Sequence, residues 1–471
     1  MESPGYQRRE MRASIAFQTT LSTLLPPASS EEHHFLHCET YNDSAVSSLP
    51  VEILVEIFQL VVDGLLCFAD FDVLEVQLSP NWVISHVCRA WRSVALSTPS
   101  LWASVCIVDD PFTNDKATLL QEYLSRSSQY PLRVTLSSLY DIQKHLEILL
   151  LHFNRCTDLD LTVGDEALKT LSTVSGEFPT LERLTIVIYD IYDYPGRSRD
   201  PSETTQRVNL FCEAPHLQEV SLHGISIFYL RLPFSQLQSF TGDISQYFEY
   251  LILFGLAPQL ITATLYLCSA PLPFTLSVPF SHTKLRTLSL YTSIHCIRDL
   301  RLPALEVFRI ERIKSGGYRH IAELFRESHC PLRSLYLEVP ALPWSTLQPI
   351  LETCSSTLTS LSIRVDEDSA LDVYNALSLE GTSCLVPHLE ELYVRDDLRP
   401  HDGDIEVSFA DETFLDMVFW RRDSDGEVAL LKSLTMCAPH SPRPFALWEL
   451  KALEIEGLKV KYYNYAWTKM I

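Results

Sequence analysis

The first strong apolar pattern of the chain runs from Ser47 to Trp102 and has helical spacing. Ile53, Ile57 and Leu60 recur three or four positions apart, as on one face of a helix. The apolar positions of the two helical patterns are Ile53, Leu54, Ile57, Phe58, Leu60 and Val61, then Ile84, Val87, Cys88, Trp91, Val94 and Ala95, followed by Pro99-Ser100-Leu101-Trp102. A helical unit of this size cannot bury so many large apolar side chains alone, so the pattern predicts a docking module.

A second apolar pattern begins near residue 130 and recurs as a short unit, roughly P-x-L-x-x-L-x-L. The clearest copies start their leucine pattern at Leu181, Leu217, Leu285, Leu305, Leu332, Leu358, Leu389 and Leu431, and weaker copies begin near Leu159, Leu237, Leu260 and Leu450. In a strand L-x-L, alternate residues point to opposite faces of a sheet, so the apolar residues predict a shared core. One copy cannot bury its apolar residues alone, whereas stacked copies can.

The segments between the predicted strands supply a second layer. Asp141–Phe153 and Tyr318–Ser328 have helical spacing, so we expect helices there. Most copies follow one another at about 20–29 residues, the range of leucine-rich repeats. Longer spacings predict insertions at Tyr189–Gln206 and Arg395–Asp425. The pattern therefore predicts an α/β fold in which strands and helices alternate.

The N-terminal pattern resembles the F-box, the module by which substrate adaptors dock on the Skp-type linker of cullin-based ubiquitin ligases. The resemblance is carried by Leu49-Pro50-Val51-Glu52-Ile53-Leu54 with Ile57-Phe58, and by Val87-Cys88-Arg89-Ala90-Trp91-Arg92 with Pro99-Ser100-Leu101-Trp102. The second block is most similar to F-box-like proteins of mushroom-forming fungi. The connector from Asp63 to Pro80 is longer than in compact F-boxes, which leaves its path open. The resemblance implies docking, or the packing behind it, by Leu49, Pro50, Ile53, Ile57, Phe58, Val87, Trp91 and Trp102.

The repeats resemble the irregular leucine-rich repeats of F-box proteins, although the Asn or Cys expected after the L-x-L strand is mostly absent. The expected fold is an N-terminal helical F-box followed by an irregular leucine-rich-repeat solenoid. The expected domains are a disordered tail at residues 1–46, an F-box-like helical domain at 47–105 and the solenoid at 106–471. The alternatives are a helical subdomain packed on its own chain and a non-repetitive α/β domain.

Composition narrows the classes of partner. The chain has 471 residues, a net charge of −23 and a pI of about 5.0, so an acidic surface disfavours nucleic acid and anionic membranes. The twelve cysteines have no CxxC spacing, which favours a reduced protein of the cytoplasm or nucleus. Tyr250–Phe280 carries no charge, but its four prolines favour buried strands and loops over a membrane span. Met1–Ser30 reads as a flexible tail rather than a targeting peptide.

Motifs that would carry chemistry are weak. The chain has no Gly-rich phosphate loop and no G-x-S-x-G motif. His33, His34, His37 and Cys38 have zinc-binding chemistry but lack the second half of a paired motif, and Asp402–Asp404 is typical of a solvated loop. We therefore expect no catalytic residues, no bound metal and no cofactor. The hypothesis that the solenoid carries an enzyme is the least favoured of the alternatives.

The remaining candidate site is the outward face of the predicted strands. Tyr and Arg are frequent in the energetically important parts of protein interfaces. Four tyrosines are expected at equivalent places on this face, and the predicted target contacts are Tyr266, Tyr291, Arg309, Tyr336, Arg364, Tyr393 and Arg395. The implied function is substrate recognition for an SCF-type ligase, with the Skp-type linker, a cullin bound through it and an unknown target protein as partners. The alternative is a scaffold without ubiquitylation.

Overall fold

The computed structural model describes residues 49–66, 80–108, 116–138, 143–164, 170–173, 177–189, 207–267, 279–312, 317–378, 384–396, 412–422, 428–438 and 444–464. Compactness divides the chain into one unit up to Leu54 and a second from Val55 to Ile471. Within the first unit, the backbone N–H groups of Ile53 and Leu54 both donate to the carbonyl oxygen of Pro50, at 3.1 Å each. These bonds start helix α1, Val51–Leu66, and the ring of Pro50 costs no hydrogen bond just before a helix.

Three further helical elements follow α1: α2 at Pro80–Val87, α3 at Arg89–Ser97 and a 3-10 helix at Pro99–Trp102. Cys88 separates α2 from α3 and has extended backbone, and its Sγ accepts a hydrogen bond from the N–H of Trp91. The Oγ1 of Thr98 donates to the carbonyl oxygen of Val94 at 2.7 Å, where α3 ends. Short polar side chains thus set both ends of α3.

The larger unit contains a parallel sheet of fourteen strands that pair almost entirely in chain order. The strands Ser104–Val108 and Lys459–Asn464 lie at its two open ends. The strands are β1 Ser104–Val108, β2 Leu132–Ser138, β3 Cys156–Gly164, β4 Arg183–Tyr189, β5 Glu219–His223, β6 Ser239–Ile244, β7 Thr262–Leu267, β9 Thr287–Tyr291, β11 Val307–Glu311, β12 Ser334–Glu338, β13 Ser360–Val365, β14 Glu391–Asp396, β15 Ser433–Ala438 and β16 Lys459–Asn464. β8 at Phe280–Ser281 and β10 at Leu300–Arg301 pair separately.

Helices lie between many of these strands in the sequence, which gives the α/β alternation that the pattern predicts. They are α4 Lys116–Arg126, α5 Gln143–Leu150, α6 Tyr247–Leu256, α7 Arg319–Ser328, α8 Trp344–Cys354, α9 Glu367–Leu377, α10 Glu412–Trp420 and α11 Pro444–Ile455. The helices predicted within 141–153 and 318–328 are α5 and α7. In the uncharged segment from Tyr250 to Phe280, which was expected to form strands and loops, Tyr250–Leu256 is helical and Thr262–Leu267 is a strand.

The core is built from the apolar residues of the repeated unit. The first leucine of every clear copy, from Leu181 to Leu431, is completely buried, as are Leu237 and Leu260 of the weaker copies. Two weaker copies are placed wrongly. Leu159 pairs with Leu184 and is therefore the second apolar position of its unit, while Leu450 lies in α11.

Several predictions fall outside the described residues. These are the N-terminal tail at 1–46 with its histidines, the connector at 67–79, and the insertion segments 190–206 and 397–411. Part of the insertion predicted at Arg395–Asp425 is described and forms α10. Within the described part of the chain, no helix is long and apolar enough to cross a membrane.

Candidate functional site

Helix α1 exposes large apolar side chains on one side and buries others. Phe58 and Val62 are each 1% exposed, whereas Ile57 is 40% and Leu60 is 72% exposed, and Val61 is also exposed. Ile53, one turn before Ile57 in the helix, is exposed too. Leaving such residues in water forgoes the gain from burying apolar area, which makes this stripe a candidate docking surface.

Helix α2 has the same two-sided character. Ile84 is buried, whereas Val83 and Val87, one turn apart, are each about half exposed, at 50% and 56%. The carboxamide of Asn81 on the buried side donates to the carbonyl oxygen of Leu101. Sequence reasoning missed Val83, although its four-residue spacing from Val87 was the available signal.

The predicted docking residues therefore fall into two groups. Pro50, Ile53, Ile57 and Val87 are exposed, and Leu49 and Trp91 are half-buried. Phe58 and Trp102 are buried by this chain, so they belong to the packing behind the surface rather than to the surface itself. Phe58 lies against Trp91, with ring centroids 4.8 Å apart.

Trp102 lies at the centre of an aromatic cluster. Its Nε1 donates to the carbonyl oxygen of Ala95 at 2.8 Å. Its ring meets Trp82 of α2 and Tyr123 of α4 edge-on, with centroids 5.4 Å and 5.2 Å away. The guanidinium of Arg126 lies 4.4 Å from the ring centroids of both tryptophans. These contacts join α2 and α3 to α4, the helix between β1 and β2, so α2 and α3 have a fixed position on the end of the sheet.

The predicted target contacts lie on strands of the sheet, but not in one row. Tyr266 pairs with Tyr291, which pairs with Glu311. Tyr336 pairs with Ser362, which pairs with Tyr393. The expectation of equivalent places is therefore wrong: Tyr336 and Tyr393 lie between the two apolar residues of their strands, whereas Tyr266 and Tyr291 follow the second one.

Each group of the predicted target contacts has its own interactions. Tyr266 and Tyr291 stack, with ring centroids 4.5 Å apart, and the guanidinium of Arg309 lies 4.5 Å from the ring centroid of Tyr336. Arg364 and Arg395 are Cα partners on neighbouring strands, which brings two like charges together. Burial and the nearby Cys437 thiol raise the pKa of Tyr393, so its hydroxyl stays protonated at neutral pH.

The described residues include buried cysteines and a groove beside α4 and α5. Burial raises the pKa of the Cys156, Cys296 and Cys354 thiols to about 12, which leaves almost no thiolate at neutral pH. No group of three or more His, Cys, Asp or Glu residues in the described ranges is placed to hold a metal ion. A groove of about 530 Å³ lies next to α4 and α5. Lys144, Glu147 and His152 line it, together with residues that are apolar or uncharged.

Comparisons with known proteins add no family to this picture. Neither a scan against models of protein families nor a search of curated proteins found a match to this chain.

Proposed function

We propose that this protein is a substrate-recognition adaptor of an SCF-type ubiquitin ligase. In this proposal, α1 and α2 bind the Skp-type linker, and the outward face of the sheet binds a target protein. The observation that carries the proposal is the set of exposed apolar side chains on α1 and α2, above all Ile57, Leu60 and Val87.

The arrangement of these side chains supports a protein partner. Each large apolar side chain that moves from water into an interface contributes about 1.5–3 kcal/mol. Ile57, Leu60 and Val61 lie within little more than one turn of α1, while Phe58 and Val62 anchor the helix from its buried side. An anchored helix loses little conformational entropy on binding, so more of the gain appears as affinity.

The motif resemblance gives the partner its proposed identity. The residues that resemble the F-box include the exposed Ile57 and Val87 and the buried Phe58 and Trp102 behind them. An ordinary helical subdomain packed on its own chain would bury Ile57 and Leu60, whereas a docking module leaves them exposed. We therefore favour linker docking over that alternative.

The proposed mechanism is proximity rather than bond chemistry by this chain. Two binding surfaces on one folded unit raise the effective concentration of a target near the charged ubiquitin-conjugating enzyme. Contacts of Trp82 and Trp102 with Tyr123 support this role, because they fix the helices to the first layer of the sheet. A fixed geometry limits the volume that the target can explore.

Co-purification with the Skp-type linker tests the proposal. Ile57→Glu or Leu60→Glu would place a charge in the docking surface, and we expect linker recovery to fall at least about tenfold. Ile455→Glu is the matched control, because Ile455 is an exposed isoleucine on α11, far along the chain from α1.

Equal recovery of the linker by the wild type and both α1 variants would contradict the docking role. Recovery of the linker without a cullin would favour the scaffold that uses the linker without ubiquitylation.

A further inference from the structure

A row of polar and aromatic side chains crosses five neighbouring strands on the outward face of the sheet. We call the residues His223, Asp243, Tyr266, Tyr291 and Glu311 the tyrosine-pair row. The register places Asp243 beside Tyr266, Tyr266 beside Tyr291, and Tyr291 beside Glu311. His223 precedes them on β5, and its Nδ1 lies 3.4 Å from Oδ1 of Asp243. The row therefore places carboxylates on both sides of two aromatic rings.

The ring geometry turns one face of Tyr291 towards the neighbouring strand β11. Tyr266 and Tyr291 are inclined by only 16°, so each covers one face of the other. The imidazole of His223 meets Tyr266 edge-on at 5.3 Å between centroids. The second face of Tyr291 lies on the side of β11, where its hydroxyl donates to Oε1 of Glu311 at 3.4 Å. An aromatic face beside a carboxylate suits a cation, because the ring face and the carboxylate are both negative.

The electrostatic surroundings of the two rings agree with this geometry. Burial, followed by the charges of Asp243 and Glu311, raises the pKa of Tyr266. Burial and Glu311 do the same for the pKa of Tyr291. The nearby cations Arg309 and Arg312 oppose the effect, but Arg309 already lies over the ring of Tyr336. The net influence on both tyrosines is thus that of negative charge.

The neighbouring row of outward positions carries small polar side chains. Thr241, Thr264 and Ser289 occupy the middle outward positions of β6, β7 and β9. All three are small, whereas the tyrosines beside them are large and half-buried. The large rings therefore stand beside a row of smaller side chains, of which Ser289 is buried.

We propose that the tyrosine-pair row binds an arginine or lysine side chain of an extended, basic segment of the target protein. The cation lies against the face of Tyr291 that points towards β11 and pairs with Glu311, and Asp243 contributes attraction from the other side of the ring pair. This inference deepens the proposed function, and it rests on that function for calling the bound protein a target. Charge complementarity argues for this occupant, because the carboxylates of Asp243 and Glu311 flank the stacked rings.

Fluorescence anisotropy with two labelled peptides tests the proposal on the full chain. The probes are Ser-Gly-Arg-Gly-Arg-Gly-Ser and the same peptide with glutamate in place of both arginines. We expect binding of the arginine peptide only. Preferred binding of the glutamate peptide would overturn the proposal and point instead to the basic positions Arg364, Arg395 and Lys461.

Variants separate a specific site from diffuse attraction by an acidic protein. Tyr291→Ala should weaken binding of the arginine peptide about fivefold, whereas Tyr291→Phe, which retains the ring, should bind nearly as the wild type does. Asp243→Asn/Glu311→Gln should weaken binding at least as much. Glu352→Gln/Asp372→Asn is the matched control, because it removes the same charge from exposed positions on α8 and α9. Equal losses in the two double variants would contradict a site at the tyrosine-pair row.

Circular dichroism of each variant shows whether it folds. Recovery of the Skp-type linker by the wild type separates the proposed cation site from the proposed adaptor function. If the linker co-purifies but the arginine peptide does not bind, the cation site is wrong and the adaptor function stands. If the peptide binds and no linker is recovered, the cation site stands and the adaptor function is wrong.

Discussion

At the scale of single residues, Trp102 connects helices α2 and α3 to the first helix of the sheet unit, α4. It combines complete burial, a hydrogen bond from Nε1 to the carbonyl oxygen of Ala95, and contacts with Trp82, Tyr123 and Arg126. The resemblance to the F-box selects Trp102 without saying whether it touches a partner or supports the surface. Its burial assigns it to support, so its loss should first reduce stability.

We expect Trp102→Phe to lower the free energy of unfolding by about 1–3 kcal/mol. The variant loses the indole N–H bond and leaves a small void, while the carbonyl oxygen of Ala95 keeps only its 3.4 Å bond from the N–H of Thr98. Urea denaturation followed by tryptophan fluorescence and circular dichroism measures the change. Trp448→Phe, at an exposed position on α11, is the control and should change stability by less than about 0.5 kcal/mol. Equal destabilisation by the two substitutions would contradict the assigned role of Trp102.

At the scale of elements, β6 shows how the repeats tolerate irregular sequence. Phe240 stands between Val220 and Ala263 in the first inward row, and Gly242 stands between Leu222 and Leu265 in the second. A Cβ on Gly242 would lie 2.8 Å from the carbonyl oxygen of Leu222 and 3.0 Å from the ring of Phe240. The large ring thus fills the space that a leucine at 242 would otherwise occupy.

This packing predicts that Gly242→Ala costs about 1–3 kcal/mol of unfolding free energy. In Phe240→Leu/Gly242→Ala the ring contact is removed, so the double variant should lose less stability than the sum of its single variants. Gly255→Ala is the control: a Cβ there meets nothing within 4 Å, and alanine favours the helix α6. Denaturant titrations of the four variants measure these differences. A Gly242→Ala variant as stable as the wild type would show that β6 has room for the methyl group.

The elements also show what the sequence could and could not specify. The L-x-x-L-x-L pattern located most strands because its first leucine is buried in every clear copy. It failed at Leu450, since a leucine followed three positions later by Leu453 also fits one face of a helix, and α11 is that helix. Helix α1 has two adjacent stripes of apolar residues, one that includes Ile57 and one that includes Phe58. The sequence pattern alone does not specify which stripe faces the core. Contacts such as that between Phe58 and Trp91 decide it.

The candidate target site was predictable in composition but not in arrangement. The alternation of the strands identified Tyr266, Tyr291, Tyr336 and Tyr393 as outward residues. Which tyrosines become neighbours depends on the register between strands that lie about 20–30 residues apart, and sequence spacing does not fix that register. The stacking of Tyr266 on Tyr291 was therefore visible only in the structure.

At the scale of the whole molecule, the order of strands in the sheet confines the effect of a destabilising substitution to the neighbouring strands. Each inner strand of the fourteen pairs only with its two neighbours in the order, so a defect in one strand acts directly on those neighbours alone. β2 and β15 lie near opposite ends of the order, and each has a completely buried leucine, Leu136 and Leu434. The two positions therefore offer a matched pair of core deletions.

Hydrogen exchange of Leu136→Ala and Leu434→Ala should show opposite patterns. Each substitution removes several buried methyl and methylene contacts and costs about 2–5 kcal/mol. In Leu434→Ala we expect faster amide exchange in β14, β15 and β16, with β2 and β3 protected as in the wild type, because sub-global opening can be confined to the strands nearest the cavity. Leu136→Ala should speed exchange in β1, β2 and β3 instead. A uniform acceleration across all fourteen strands in either variant would mean that the sheet unfolds as one cooperative unit, and the nearest-neighbour description of its stability would then be wrong.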